Sequence, residues 1–140
     1  MTQTTQAPTS LTFGVPWEAM YSYSQAVRRG STIYISGQLS HDLEANFVGE
    51  GDFELQTRTA LANLDRVLEH FGASRQAVVE TTVFVKDLRQ HFEDICRLHA
   101  EYFGTHWPTS NLIGVADLAL PPQLVEIAAV AILDAAPPQP

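Results

Sequence analysis

The chain has 140 residues, of which 16 are acidic and 8 basic, giving a formal net charge of −8. It holds a single lysine, Lys86, and its arginines are scattered, so it lacks the dense cationic surface that a nucleic-acid backbone requires. No apolar run approaches the ~20 residues of a membrane-spanning helix. The opening Met1-Thr2-Gln3-Thr4-Thr5-Gln6 has neither the basic head nor the apolar core of a secretion signal, and Cys96 is the only cysteine. A cytoplasmic, reducing setting without an internal disulfide is therefore expected. His41, His70, His91, His99 and His106 form no metal-binding spacing, and no metal or cofactor is predicted.

Residues 1–12 are polar and unpatterned and read as a flexible N-terminal arm, residues 13–134 as one domain, and residues 135–140 as a Pro-rich tail. Phe13 to Met20, with Gly14 and Pro16, reads as an extended segment with a turn. Tyr21 to Val27 and Ser31 to Leu39 read as two strands of a hairpin around Arg28-Arg29-Gly30. Gly37 interrupts the second of them, which marks either a plain bulge or a place where a ligand or another backbone comes close. Residues 40–52 form a loop, with a short strand near Phe47-Val48.

The first clear helix follows. Leu55, Ala60, Leu64, Val67, Leu68 and Phe71 recur at helical spacing, with Asp52 as N-cap and Gly72 past the end. Gln56 and Asn63 are assigned to its watery side. Val78 to Val85 is a β-branched strand, and Lys86-Asp87-Leu88 turns into a second helix from about Gln90 to Phe103. Its inner face carries Phe92, Ile95, Cys96, His99, Tyr102 and Phe103. Cys96 and His99, three apart, are either core neighbours or an activated thiol with its base. Trp107 to Asn111 is a polar loop, and Leu112 to Ala116 a strand.

The final strand, Gln123 to Leu133, is apolar except for Glu126 and reads as buried on both faces. A carboxylate there is costly unless paired, and desolvation raises its pKa toward the range where it can give and take a proton near neutrality. The alternative is an edge strand with Glu126 facing water. The order is ββ, helix, β, helix, ββ, an α+β domain with a mixed sheet and two helices packed on one face. With only two helices to cover it, the other sheet face is expected to be buried by copies of the same chain.

Four segments resemble the Rid family, also called YjgF or L-PSP proteins: Tyr23-Ser24-Gln25-Ala26-Val27, Ile35-Ser36-Gly37-Gln38, Thr81 to Leu88 with its Val-Phe-Val-Lys-Asp-Leu, and Leu120-Pro121 leading into Val125-Glu126-Ile127. The resemblance implies a chorismate-mutase-like homotrimer with ligand pockets between subunits. It also implies, for some members, hydrolysis of reactive enamines and imines such as 2-aminoacrylate. Tyr23 and Gly37 match pocket-lining positions, and Glu126 matches the carboxylate that positions or activates water. The arginine by which deaminating members grip the substrate carboxylate corresponds here to Ser110 of Pro108-Thr109-Ser110, and Cys96 falls where many members have an asparagine. A hydroxyl in place of a guanidinium weakens a carboxylate's hold by about 2 to 4 kcal/mol. Standard 2-aminoacrylate deamination is therefore not expected.

The expected function is that of a small-molecule enzyme in which Glu126 moves a proton or activates water on an imine, enamine, enol or related carbonyl compound. Tyr23, Gly37, Ser110, Asn111 and Cys96 are the candidate binding residues, and Trp17 or Trp107 the candidate apolar wall. Imine hydrolysis and tautomerisation both suit this site. The alternative is a non-catalytic trimer that binds a metabolite and reports it to a partner.

Overall fold

The computed structural model describes residues 9–133. The last strand in sequence, β6 (Val125–Ile132), is central in space. It lies antiparallel between β3 (Thr32–Gln38) and β4 (Val78–Lys86). β2 (Ala26–Arg29) and β1 (Ser10–Leu11) continue the sheet beyond β3, and β5 (Thr109–Val115) lies parallel to β4 at the other edge. The sheet order is β1-β2-β3-β6-β4-β5. It is mixed, as expected, because the helices α2 (Phe53–His70) and α3 (Leu88–Phe103) each carry the chain across to a parallel strand, whereas the hairpin and β6 run the other way.

Both long helices pack on one sheet face. Leu64, Val67 and Leu68 of α2, with Ile95, Tyr102 and Phe103 of α3, share a core with Val125, Ile127, Ala129 and Ala131 of β6. Asp52 caps α2 as its sequence implies, its side chain accepting from the Leu55 N–H. Leu55 and Phe92, expected inside, are exposed, at 42% and 51%. Both stand near their helices' N-termini, off the buried face that Phe53 and Gln56 define in α2 and Ile95 and Leu98 in α3. Gln56 and Asn63, expected outside, are buried because the backbone needs them. Gln56 donates to the carbonyls of Gly49 and Pro122, both at 3.0 Å, and accepts from the Leu124 N–H at 2.8 Å. Asn63 donates to the carbonyls of Leu39 and His41. Two amides thus tie the loop after β3 and the approach to β6 onto α2.

Other expectations change. Ser10 and Leu11, assigned to the flexible arm, form β1, while residues 1–8 and 134–140, including the Pro-rich tail, lie outside the described residues. The segment read as extended holds a helix, α1 (Pro16–Tyr21). Pro16 supplies a preset φ at the first helical position, and Glu18 reaches back to the Val15 N–H. The first hairpin strand consequently begins at Ala26 rather than Tyr21, after Ser22 closes the helix at φ 61°. Thr109 to Asn111, read as loop, belong to β5.

β6 is not buried on both faces within the chain. Its odd-numbered residues, from Val125 to Ala131, are buried, and its even-numbered ones, from Glu126 to Ile132, are only half-buried. Alternation of side chains sends the second set to the face without helices. The residues there include Val27, Tyr34, Thr82, Ala128 and Val130, with Tyr34 55% exposed.

Candidate functional site

Glu126 stands on that open face, in register with Phe84 of β4. Its neighbour across β6 is the bulge in β3, where the register shifts between Ile35 and Gln38. Gly37 sits in the bulge, and a Cβ there would overlap Cγ, Cδ and Oε2 of Glu126. The glycine is required for room, so that the carboxylate can lie against bare backbone. Among the described residues Glu126 receives only a long hydrogen bond, 3.5 Å, from the Gln123 amide to Oε1. Burial pushes its carboxyl above the usual range, and the Gln123 contact offsets this only in part.

Tyr23 belongs to the same neighbourhood. Burial chiefly raises its phenol pKa; the charges of Glu18 and Glu126 add to this, while hydrogen bonding to Gln25 and Trp17 eases it. Behind Tyr23 lies a polar chain that sequence reasoning missed. Glu18, 6% exposed, accepts from the N–H groups of Phe13, Gly14 and Val15 and from the Gln25 amide. Gln25 in turn accepts from Gln38 at 2.9 Å. The spacing Pro16-x-Glu18 was the available signal, since a glutamate at the third helical position is placed to return to the residues before the helix.

The remaining candidates lie elsewhere. Ser110 of β5 pairs with Thr81 and faces the helices, opposite in direction to Glu126. Ser110 and Cys96 line a cavity of about 360 Å³ beneath α3, together with His99, Phe103, Trp107 and Pro108. Thr81 Oγ1 is 2.9 Å from both Ser110 Oγ and His99 Nε2, and burial pulls the His99 pKa down. The Cys96 thiol is exposed, and the ring nitrogen His99 uses is engaged by Thr81 rather than by Cys96. Asn111, next to Ser110, is exposed and points to the open face, as Glu126 does. Trp17 lies near His41, ring centroids 5.5 Å apart, and Trp107 is 86% exposed at the cavity mouth. One chain thus gathers Glu126, Gly37 and Tyr23 at one place, and Ser110 and Cys96 at another on the opposite face of the sheet. Among the described residues no cluster of His, Cys, Asp and Glu could hold a metal ion, and no helix is long and apolar enough to cross a membrane.

The mixed sheet backed by helices is the fold of solved YjgF-family structures. Residues 14–133 match the family model described as Endoribonuclease L-PSP, and the chain belongs to the Rid/YjgF/L-PSP family. A RutC family protein of Pyrococcus abyssi is 36% identical over 109 residues, 78% of this chain and 84% of that one. The human 2-iminobutanoate/2-iminopropanoate deaminase is 36% identical over 115 residues, 81% of this chain and 82% of that one. Among solved structures, Rv2704 of Mycobacterium tuberculosis, a member of the YjgF/YER057c/UK114 family, superposes with a TM-score of 0.80 at 31% identity, covering 89% of this chain and 98% of that one.

Proposed function

We propose that the chain is a small-molecule enzyme in which Glu126 transfers a proton, or activates water, on an imine, enamine, enol or related carbonyl compound. The observation that carries this is the placing of Glu126: a half-buried carboxylate with one weak neutral partner, seated over Gly37 beside Tyr23. Raised toward neutrality, such a group serves as acid and base in turn. Tyr23 and the backbone at Gly37 orient the substrate. Relatives named as iminobutanoate and iminopropanoate deaminases support imine chemistry at the level of the family.

Because Ser110 and Cys96 face away from Glu126 within one chain, a pocket containing all of them needs a second copy. The uncovered face around Val27, Tyr34 and Val130 supports a closed homo-oligomer, which we take to be a trimer. A carboxylate-bearing imine meets no arginine at Ser110, so the site suits uncharged compounds better than 2-aminoacrylate. RNA cleavage fits poorly with a charge of −8 and one lysine. The single free cysteine is consistent with a cytoplasmic protein.

The test is Glu126→Gln assayed against a panel of imine, enamine and enol compounds. Turnover by the native protein that disappears in the variant, with the oligomer retained on light scattering, is the expected result. Turnover that survives removes Glu126 from the mechanism. Binding of a panel compound, seen as thermal stabilisation, without any turnover by the native protein identifies a metabolite-binding role instead.

A further inference from the structure

The cavity beneath α3 is built differently from the surroundings of Glu126. Its volume of about 360 Å³ is at the small end of ligand pockets. Val83, Ile95, Ala100, Phe103, Pro108 and Leu112 make its walls apolar, and among the described residues no Lys, Arg, Asp or Glu lines it. His106, also in the lining, is tied to the Val78 carbonyl through Nε2.

Into this apolar space opens one hydrogen-bonded chain: Ser110 Oγ, Thr81 Oγ1 and His99 Nε2, successive atoms 2.9 Å apart, with Thr81 fully buried. Such a chain has two polarities. With the proton on His99 Nε2, hydrogen bonds run from His99 through Thr81 to Ser110, and Ser110 offers its O–H to a ligand acceptor. With the proton on Nδ1, the chain reverses and Ser110 accepts from a ligand O–H. The low His99 pKa keeps the ring neutral, so both tautomers remain available at neutral pH. A guanidinium can only donate, and a carboxylate can only accept.

We propose that this cavity binds a small, uncharged, apolar carbonyl compound through Ser110, and holds its keto and enol forms alike by reversal of the Ser110–Thr81–His99 chain. This deepens the reading given above by naming the substrate class, and takes from it only that the ligand is a small molecule passing between tautomers. Ser110 is the specificity-determining residue, and Thr81 and His99 are positioning residues.

Acetophenone, a pure acceptor, and phenol, an enol-like donor, serve as probes, with benzoate as the anionic control. Titrations are followed by NMR of histidine-labelled native protein. Acetophenone should drive His99 to the Nε2–H tautomer and phenol to the Nδ1–H tautomer, with benzoate at least tenfold weaker, because its charge loses water in an apolar cavity that offers no cation. Ser110→Ala should weaken both neutral probes about tenfold. Thr81→Val, close to isosteric, should abolish the tautomer response. Turnover and probe binding are read separately: loss of turnover in Glu126→Gln bears on the proposed reaction, whereas loss of probe binding in Ser110→Ala bears on this cavity. The proposal is overturned if benzoate binds as tightly as acetophenone, if neither neutral probe binds, if both leave His99 in one tautomer, or if Ser110→Ala has no effect.

Discussion

Two glutamates in this fold are taken out of water, and they are treated in opposite ways. Glu18 is almost wholly buried, and its carboxylate is saturated by three backbone N–H groups and the Gln25 amide. Glu126 is less buried, yet it has only the distant Gln123 amide and a glycine beneath it. The first carboxylate is an acceptor that completes the backbone of its own loop. The second is kept short of partners, and under the proposed function that is what leaves its proton free to move.

The sharpest way to break the comparison is to neutralise Glu126 in its own shape and to remove the Glu18 carboxylate outright. Glu126→Gln is expected to lower turnover by about 100- to 10,000-fold, the usual worth of a positioned acid or base. Its urea midpoint should stay within about 0.5 kcal/mol of the native protein's, as expected where few interactions are lost. Glu18→Ala should do the reverse. It strands the Phe13, Gly14 and Val15 N–H groups and the Gln25 amide, at a cost of about 3 kcal/mol in urea unfolding. A Glu126 variant that unfolds as readily as the Glu18 variant would show that both carboxylates are structural.

The two glutamates were also unequally legible in the sequence. Glu126 stands out because it is the one charge in an apolar strand, and Gly37 because glycine is out of place in a strand interior; both are local irregularities. Glu18 gives almost no such signal, since its partners are backbone groups whose directions exist only once α1 has formed. The same reason hid Gln56 and Asn63, assigned to water by helical spacing although loop carbonyls draw them in. Face was harder still. Ser110 and Asn111 are adjacent in sequence, yet β5 sends one toward the helices and the other away. The order of the main elements and the position of both long helices followed from periodicity, which depends on nothing outside each segment.

Gly37→Ala sharpens the comparison from the backbone side. The new methyl group occupies the place of the Glu126 side chain, so the carboxylate must swing off the bulge. Activity is expected to fall by roughly tenfold to a hundredfold, the scale of a ~1 Å misplacement of a reacting group. Glu18 is untouched by this change, and stability should fall by about 1 to 3 kcal/mol, as in an overpacked contact. Full activity in this variant would mean that the position of Glu126 over the bulge has no role.

The smallest effect is in the pH dependence of stability, and its sign is diagnostic. Burial raises the carboxyl pKa of Glu126 in the folded protein above its value of about 4.5 in the unfolded chain. Between those two values the native state holds a proton that the unfolded state has released. Stability from this group is therefore fully present below pH ~4.5 and declines as pH rises through the raised native value, levelling off above it. His99, whose native pKa is lowered, acts the other way, since the unfolded chain takes up its proton first as pH falls below about 6.5. The difference between native protein and Glu126→Gln isolates the carboxylate. Plotted as melting temperature against pH from 4 to 8, the variant should gain on the native protein as pH rises. A difference that instead widens in the native protein's favour with rising pH would mean that Glu126 has an ionic partner in the assembled protein, and is held like Glu18.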